Sequence, residues 1–436
     1  MKKLFYAMLL LSAIVPSCNP SKNDGWVSLF NGKDLTGWKQ LGGRNGNAKY
    51  EVINGEIVGT TVVDTPNSFL VTEKTYSDFI FEVDLFLEEP MNSGIQFRSL
   101  STDDYKEGRV HGYQCEVDPS SRAWSGGIYD EARRGWLYPM TLNPEGGKSF
   151  KLNDWNHYRI ECIGSTIRTW LNGVPAAYLI DDLTGEGFIA LQIHSVGEGK
   201  GGRHIKWKNI RIKTENLEAT TETNSIFVMN NVNGDLSAGE KSNGWAWLWD
   251  GRSGESWKTM VPGLSPEDRW KFDDGVLTIL SMAEPAPSKL LDISLDVPLN
   301  YFDIQWKFML TEGSASGLAY FCDPVSGFPG LEFQLQDNET TGDTIAVHSL
   351  ASLYGIKAAE LKSRHIRPAG EWNHARLVVR PDKQVEHWVN GVKALEYSLD
   401  DEDLKDILPK NNLPGNILLK DEGTQVSFRD FKIKQM

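Results

Sequence analysis

The sequence predicts an all-β chain folded as two tandem jelly-roll sandwiches. Three observations carry that prediction. An ordered series of segments recurs 217 to 221 residues further along the chain. Within each copy the apolar residues fall at every second position, the period of a half-buried strand. Turn formers are abundant, with 41 Gly and 19 Pro, and no long stretch carries the 3.6-residue apolar period of a helix; Ala351 to Lys362 is the best short helical candidate. Strands without helices to cover them must bury one face against a second sheet, which gives a sandwich.

Taken from the amino terminus, Lys2 and Lys3 followed by the apolar run Leu4 to Val15 and then Ser17-Cys18 read as a secretion signal over 1–18. The run is too short for a comfortable membrane span. The end of this segment resembles the lipobox of bacterial lipoproteins, which implies lipidation of Cys18 and an address in the cell envelope, in the periplasm or on the outer membrane surface, with the lipid as the sole membrane contact.

The first sandwich is expected over 24–214. It opens with Gly25-Trp26-Val27-Ser28-Leu29-Phe30-Asn31-Gly32-Lys33 and continues with Phe79, Phe81, Val83, Leu85 and Leu87 facing one way and Glu82 and Asp84 the other. Asn172-Gly173 is a hairpin signal. The Thr- and Glu-rich stretch 215–225 reads as a linker. The second sandwich, 226–436, repeats the opening as Gly244-Trp245-Ala246-Trp247-Leu248-Trp249-Asp250-Gly251-Arg252. Asp154-Trp155-Asn156-His157 recurs there as Glu371-Trp372-Asn373-His374, and Trp170-Leu171-Asn172-Gly173 as Trp388-Val389-Asn390-Gly391. Because Trp-Asn-His stands in both copies, His157 and His374 look architectural. Of the remaining cysteines, Cys115, Cys162 and Cys322, an odd number cannot all pair within one chain; buried free thiols are expected, with a Cys115–Cys162 bridge as the alternative.

The composition narrows the function. With 45 basic and 59 acidic residues the net charge is −14, so a phosphate backbone is a poor partner. Fifteen Trp residues favour a sugar-facing surface, since indole faces stack on the apolar side of sugar rings. No nucleophile elbow, phosphate-binding glycine loop or HExxH motif is present. No cofactor is firmly expected; loop acids could hold a structural divalent cation such as calcium, but no spacing names its site.

Two regions depart from plain alternation. In Gly112-Tyr113-Gln114-Cys115-Glu116-Val117-Asp118 the polar Gln114, Glu116 and Asp118 share one face of a strand. Carboxylates two residues apart on a strand lie about 7 Å from each other, a spacing compatible with acid/base work on a glycosidic bond. Copy two repeats the row as Glu332, Gln334 and Gln336. A second strand adds Gln96 and Arg98, where copy two has Ala319 and Phe321. The second region is Trp124-Ser125-Gly126-Gly127-Ile128-Tyr129-Asp130-Glu131-Ala132-Arg133-Arg134-Gly135-Trp136-Leu137-Tyr138, whose aromatic and charged residues suit ligand contact. Copy two offers a shorter counterpart through Tyr354, and His387 beside Glu386 and Trp388 as a proton-transfer candidate. His111 and His194 stand close to the polar strands.

Assembled, these segments resemble the 3-keto-disaccharide hydrolase domain family in its tandem form. The matching pieces are Leu29-Phe30-Asn31-Gly32-Lys33-Asp34-Leu35-Thr36-Gly37-Trp38, Asn92-Ser93-Gly94-Ile95, Gly112 to Asp118, Gly126-Gly127-Ile128-Tyr129-Asp130-Glu131, Gly370-Glu371-Trp372-Asn373, and Val385 to Lys393. The resemblance implies a concanavalin A-like sandwich and cleavage of glycosides whose glucose unit a partner sugar 3-oxidoreductase has oxidised at C3. A C3 ketone acidifies the C2 proton, so elimination followed by hydration gives net hydrolysis. The site then needs a base near C2, a donor for the C3 oxygen and an acid for the leaving oxygen. Glu116, Asp118 or His387 is expected as base, Arg98 or Arg134 as the enolate's partner, and Tyr129 or Asp130 for the leaving group. The wider substrate-contacting set is Gln96, Tyr113, Gln114, Trp124, Glu131, Glu332, Gln334 and Tyr354. The alternative from another class is a carbohydrate-binding lipoprotein without catalysis.

Overall fold

The computed structural model describes residues 25–221, 226–259, 261–281, 290–323, 325–340, 345–408 and 414–436. The signal segment 1–18 and its Cys18 lie outside these residues. Each repeat is a pair of antiparallel sheets packed face to face. In copy one the larger sheet runs Met229–Asn230, Val174–Ile180, Thr166–Leu171, Trp155–Ile163, Phe79–Leu87, His204–Lys213, Glu56–Thr60 and Lys49–Ile53 from edge to edge. The facing sheet runs Gly135–Tyr138, Ile128–Glu131, His111–Val117, Ser93–Leu100, Phe188–Ile193, Ser68–Thr72 and Trp38–Gln40. Copy two repeats the design, with eight and five strands in its two sheets among the described residues.

The two-residue period explains the layers. Phe79, Phe81, Val83, Leu85 and Leu87 are fully buried between the sheets. The alternate Glu82 and Asp84 lie on the outer face, where Glu82 pairs with Arg159 and Arg211 and Asp84 with His157. Ile304, Trp306, Phe308 and Leu310 do the same for copy two. The expected hairpins form with left-handed φ at both turn residues, 52° and 80° at Asn172-Gly173 and 48° and 78° at Asn390-Gly391, the conformation of a type I′ turn. Cys115, Cys162 and Cys322 are free and buried. Ala351 to Lys362 is not a helix. Leu353 bridges both Phe333 and Lys357, and Gly355 at φ +70° turns the chain between those bridges; sheet pairing overrides the local propensity.

The asparagine of the recurring Trp-Asn-His is architectural. Asn156 Oδ1 accepts from the Lys151 backbone and its amide donates back to the same residue. Asn373 treats Arg367 in the same way. The turn residues Asn172 and Asn390 each donate to that asparagine, at 3.0 and 2.7 Å.

The segment joining the copies belongs to both. Met229–Asn230 adds a parallel strand to the edge of Val174–Ile180, although the sequence places residues from 226 onward in the second sandwich. Phe227 O accepts the Tyr138 hydroxyl at 2.8 Å, and the Arg376 guanidinium of copy two lies 4.7 Å from the Phe227 ring. Buried Glu240 accepts from Asn230 at 2.9 Å and pairs with Lys432 of copy two at 2.7 Å. The Asn390-Gly391 turn docks on copy one, where a Cβ at Gly391 would stand 2.8 Å from Pro139.

Candidate active site

The seven-stranded sheet of copy one turns Tyr113, Cys115 and Val117 into the core and presents Gln114 and Glu116 on its outer face. Asn67, just before strand Ser68–Thr72, and Glu131, ending strand Ile128–Glu131, have three strands between them. A flat sheet would hold such strands about 19 Å apart, yet Asn67 Nδ2 donates to Glu131 Oε1 at 3.4 Å. The outer face is therefore cupped, and side chains from opposite flanks meet over it.

Its floor is a chain of amides ending in one acid. Gln96 and Gln192 both donate to Gln114 Oε1, and Gln114 Nε2 donates to Glu116 Oε2 at 2.9 Å. Asn92 donates to the other carboxylate oxygen. Gly94 makes room: a Cβ there would lie 2.2 Å from the Gln114 carboxamide carbon. Beside Glu116, Asp118 is bound to Arg122 at 2.7 Å. The Arg122 guanidinium lies over Trp124 and Trp136, 4.3 and 5.1 Å from their ring centres. Trp136 meets Trp124 edge-on at 4.5 Å and Tyr129 at 5.2 Å. Glu131 is paired with Arg109 at 2.8 Å.

Burial splits the two carboxylates electrostatically. Desolvation pushes Glu116 up to about 7, against the hydrogen bonds from Asn92 and Gln114 that favour its charged form. Asp118 is held below the ordinary range by Ser120 and Arg122, which together outweigh its own desolvation. Burial and the neighbouring Glu131 and Glu116 raise Tyr129, keeping its phenol protonated. The site thus holds a proton-exchanging acid, a fixed anion and a phenolic donor side by side.

A pH dependence of stability follows. The fold favours protonated Glu116, so that stability is fully present below about 4.5 and is lost as pH rises through about 7. A shift of this size corresponds to roughly 3 kcal/mol. Thermal unfolding between pH 5 and 7.5 is expected to show Tm falling with pH, with a shallower slope in Glu116→Gln. Equal slopes would contradict the buried placement of this acid.

Several expected site residues lie elsewhere. Arg98 sits at a bulge with φ 44°, and Phe321 occupies the same bulge in copy two at φ 61°. The bulge turns Arg98 away from the cup to bind Ser77 O, Gly164 O and Asp78. Tyr113 is fully buried, with its hydroxyl on Asp181. Asp130 alternates inward and is paired with Arg133 and Arg134, and Arg134 pairs again with Asp181. Gln96 lies within the floor itself, fully buried and bonded to Gln114 and Ser99. Trp124 is buried and backs Trp136.

His387 is a core histidine. Its Nδ1 donates to Ala351 O at 2.8 Å, its ring stacks on Phe333 at 4.5 Å, and burial lowers it to about 4. Copy one satisfies the equivalent carbonyl, Gly126 O, with Thr169 at 2.6 Å. The same backbone pairing aligns Gln334 with Glu116: Glu116 N–H donates to Gly127 O and Gln334 N–H to Ser352 O. In copy two the acid is therefore displaced to Glu332, which stands in the place of Gln114. Burial raises it to about 7, partly offset by Lys420. Ala319 and Leu418 cluster with Cys322 there. Tyr354 is half exposed and stacks on His348 at 4.8 Å.

The structure adds Asn92, Arg109, Arg122, Trp136 and Gln192 to the site. Asn92 and Trp136 stand inside motifs visible in the sequence; Arg122 is held by Asp118 four residues earlier, and Arg109 and Gln192 are placed by tertiary contacts. Among the described residues no group of three or more His, Cys, Asp or Glu side chains is placed to hold a metal ion.

Residues 25–213 and 244–434 each match the model of the 3-keto-alpha-glucoside-1,2-lyase-like domain. A 3-keto-disaccharide hydrolase of Bacteroides thetaiotaomicron is 22% identical over 232 residues, covering 44% of this chain and 79% of that protein. Among solved structures, a Parabacteroides distasonis ATCC 8503 protein classed as a glycosyl hydrolase is 22% identical with a TM-score of 0.38, covering 46% of this chain and 98% of its own. A carbohydrate-binding module from Bacillus subtilis is 18% identical with a TM-score of 0.29, over 41% of this chain and 95% of the module.

Proposed function

The chain belongs to the 3-keto-alpha-glucoside-1,2-lyase-like domain family, and from that premise we propose that copy one cleaves 3-keto-glycosides by elimination and hydration in the cup around Glu116. The observation that carries this reading is a carboxyl group buried on a cupped sheet face, raised to about 7, beside a wall of Tyr129 and Trp136. A base poised near neutral pH suits removal of an acidified C–H proton.

In this reading Trp136 stacks on the sugar ring and Glu116 takes the C2 proton. The electron pair moves into the C2–C3 bond and the C3 carbonyl becomes an enolate. Arg122 and Arg109, the cations beside this face, take the stabilising role expected of Arg98 and Arg134. Collapse of the enolate expels the C1 substituent, whose oxygen takes a proton from Tyr129, leaving a 1,2-unsaturated 3-keto sugar. Water adds across the double bond: its hydroxyl goes to C1 as its proton passes to the Tyr129 phenolate, and Glu116, its proton exchanged with solvent, protonates C2, which gives net hydrolysis and restores both residues. The substrate would come from a sugar 3-oxidoreductase, and a lipid on Cys18 would hold the enzyme at the cell envelope.

Copy two supports a different role. With Gln334 where copy one has Glu116, and Ala319 and Leu418 where it has Gln96 and Ala190, it fits a non-catalytic, carbohydrate-facing or scaffolding domain.

The test is incubation of the purified chain with 3-keto-trehalose or 3-keto-lactose in D₂O. Release of free sugar with deuterium at C2 of the oxidised product is expected. Release without C2 deuterium would overturn elimination, and saturable binding without release would overturn catalysis.

A further inference from the structure

A cleft of about 430 Å³ lies between the two copies, lined by Arg134, Lys307, Arg367, Arg429, His374 and Glu371 among others. It is separate from the cup and plays no part in the proposed reaction. Two of its cations are neutralised where they stand, Arg134 by Asp130 and Asp181 and Lys307 by Asp430 at 2.7 Å. The other two are not. Among the described residues Arg367 forms no ion pair; its Nη1 donates to Trp372 O at 2.9 Å, while its Nε is buried without a hydrogen-bond partner. Arg429 stacks on Trp372 at 4.0 Å, approaches Asp430 only to 3.9 Å, and also has a buried Nε without a partner. His374 is 7% exposed; its Nε2 faces Gln305 at 3.0 Å and its Nδ1 has no partner.

Buried donors without acceptors are costly, and buried cations more so. Carboxylates stand near both guanidinium groups, Glu371 in the cleft wall by Arg367 and Asp430 beside Arg429, but neither closes a tight pair. Guanidinium forks match the paired oxygens of carboxylate and phosphate, the imidazole suits a hydroxyl, and the volume falls within the range of small-molecule sites. We propose that this cleft binds a small hydroxylated oxyanion, of the class of a sugar acid or sugar phosphate, with Arg367 and Arg429 on its anionic group and His374 Nδ1 on a hydroxyl. The three contacting groups all come from copy two, while Arg134 of copy one lines the same cleft.

The experiment is thermal unfolding of the purified chain at matched ionic strength with D-glucuronate, glucose 6-phosphate, D-glucose or sodium chloride. At saturation at least one of the two anionic sugars is expected to raise Tm by about 3 °C or more, and which of them does so separates carboxylate from phosphate. Glucose and chloride leave Tm unchanged. Arg367→Gln and Arg429→Gln, each measured against its own ligand-free baseline, lose the shift, whereas Glu116→Gln keeps it. The proposal is overturned if neither anionic sugar exceeds the matched chloride control, if both arginine variants retain the shift, or if Glu116→Gln abolishes it, which would place the anion in the cup.

Discussion

Glu116→Gln is expected to lower kcat/KM for 3-keto-glycosides by about 10²–10⁴-fold, the usual worth of a positioned general base, with the fold intact. Gln is nearly isosteric and keeps an acceptor for Asn92 or Gln114, the two donors that hold the native carboxylate. What it lacks is the ability to take a proton. The assay must be paired with circular dichroism, and two controls sharpen it. Asp118→Asn should lower the rate less, because Asp118 is already committed to Arg122. His387 stands in the core of the other copy, so a conservative replacement that folds should turn over normally. A Glu116→Gln enzyme with unchanged kcat/KM would remove the base from Glu116 and, with it, the catalytic reading of the cup.

The largest effect on stability is expected at Asp421. It lies just after strand Gly415–Leu419 and is almost wholly buried. Its carboxylate receives Nε and Nη2 of Arg269 at 2.7 and 2.8 Å, and the backbone N–H groups of Leu291 and Gly423 at 3.0 and 2.9 Å. Arg269 is itself only 3% exposed. Asp421→Ala therefore leaves a buried guanidinium without its counter-charge and two backbone donors without acceptors, at about 3–5 kcal/mol. Denaturant titration should show an earlier transition for copy two. A loss below about 1 kcal/mol would mean that water reaches and solvates Arg269, in conflict with its burial.

The architecture was legible because it rests on periodicities that survive tertiary context. Alternation placed Phe79 to Leu87 in the core and Gln114 and Glu116 on one outer face, and Asn-Gly pairs marked the turns. The site was legible only where alternation held. Arg98 follows Gln96 by two residues and should share its face, but a left-handed residue at the bulge reverses it. Asp130 and Arg134 looked like ligand contacts because they are polar and near aromatics. They are instead spent on each other, Asp130 also on Arg133 and Arg134 also on Asp181, the last a partnership no local spacing encodes. The acid and indole beside His387 suggest proton transfer, yet its work is to satisfy Ala351 O where copy one uses a threonine. Arg109 and Gln192 reach the cup from segments remote in sequence, so their contribution emerges only in three dimensions, whereas Arg122 lies four residues from its partner Asp118.

The strand Met229–Asn230 shows that the unit that was duplicated and the unit that holds together are not the same length of chain. A fragment ending at the first repeat's own boundary would strip the cover from Val174–Ile180, baring the hydrogen-bonding rim of a strand whose last five residues are buried. Such a rim invites other chains to dock on it. Whoever dissects this molecule should carry 226–243 with the first half, and should expect the second half, deprived of the carboxylate that meets Lys432, to be the needier orphan.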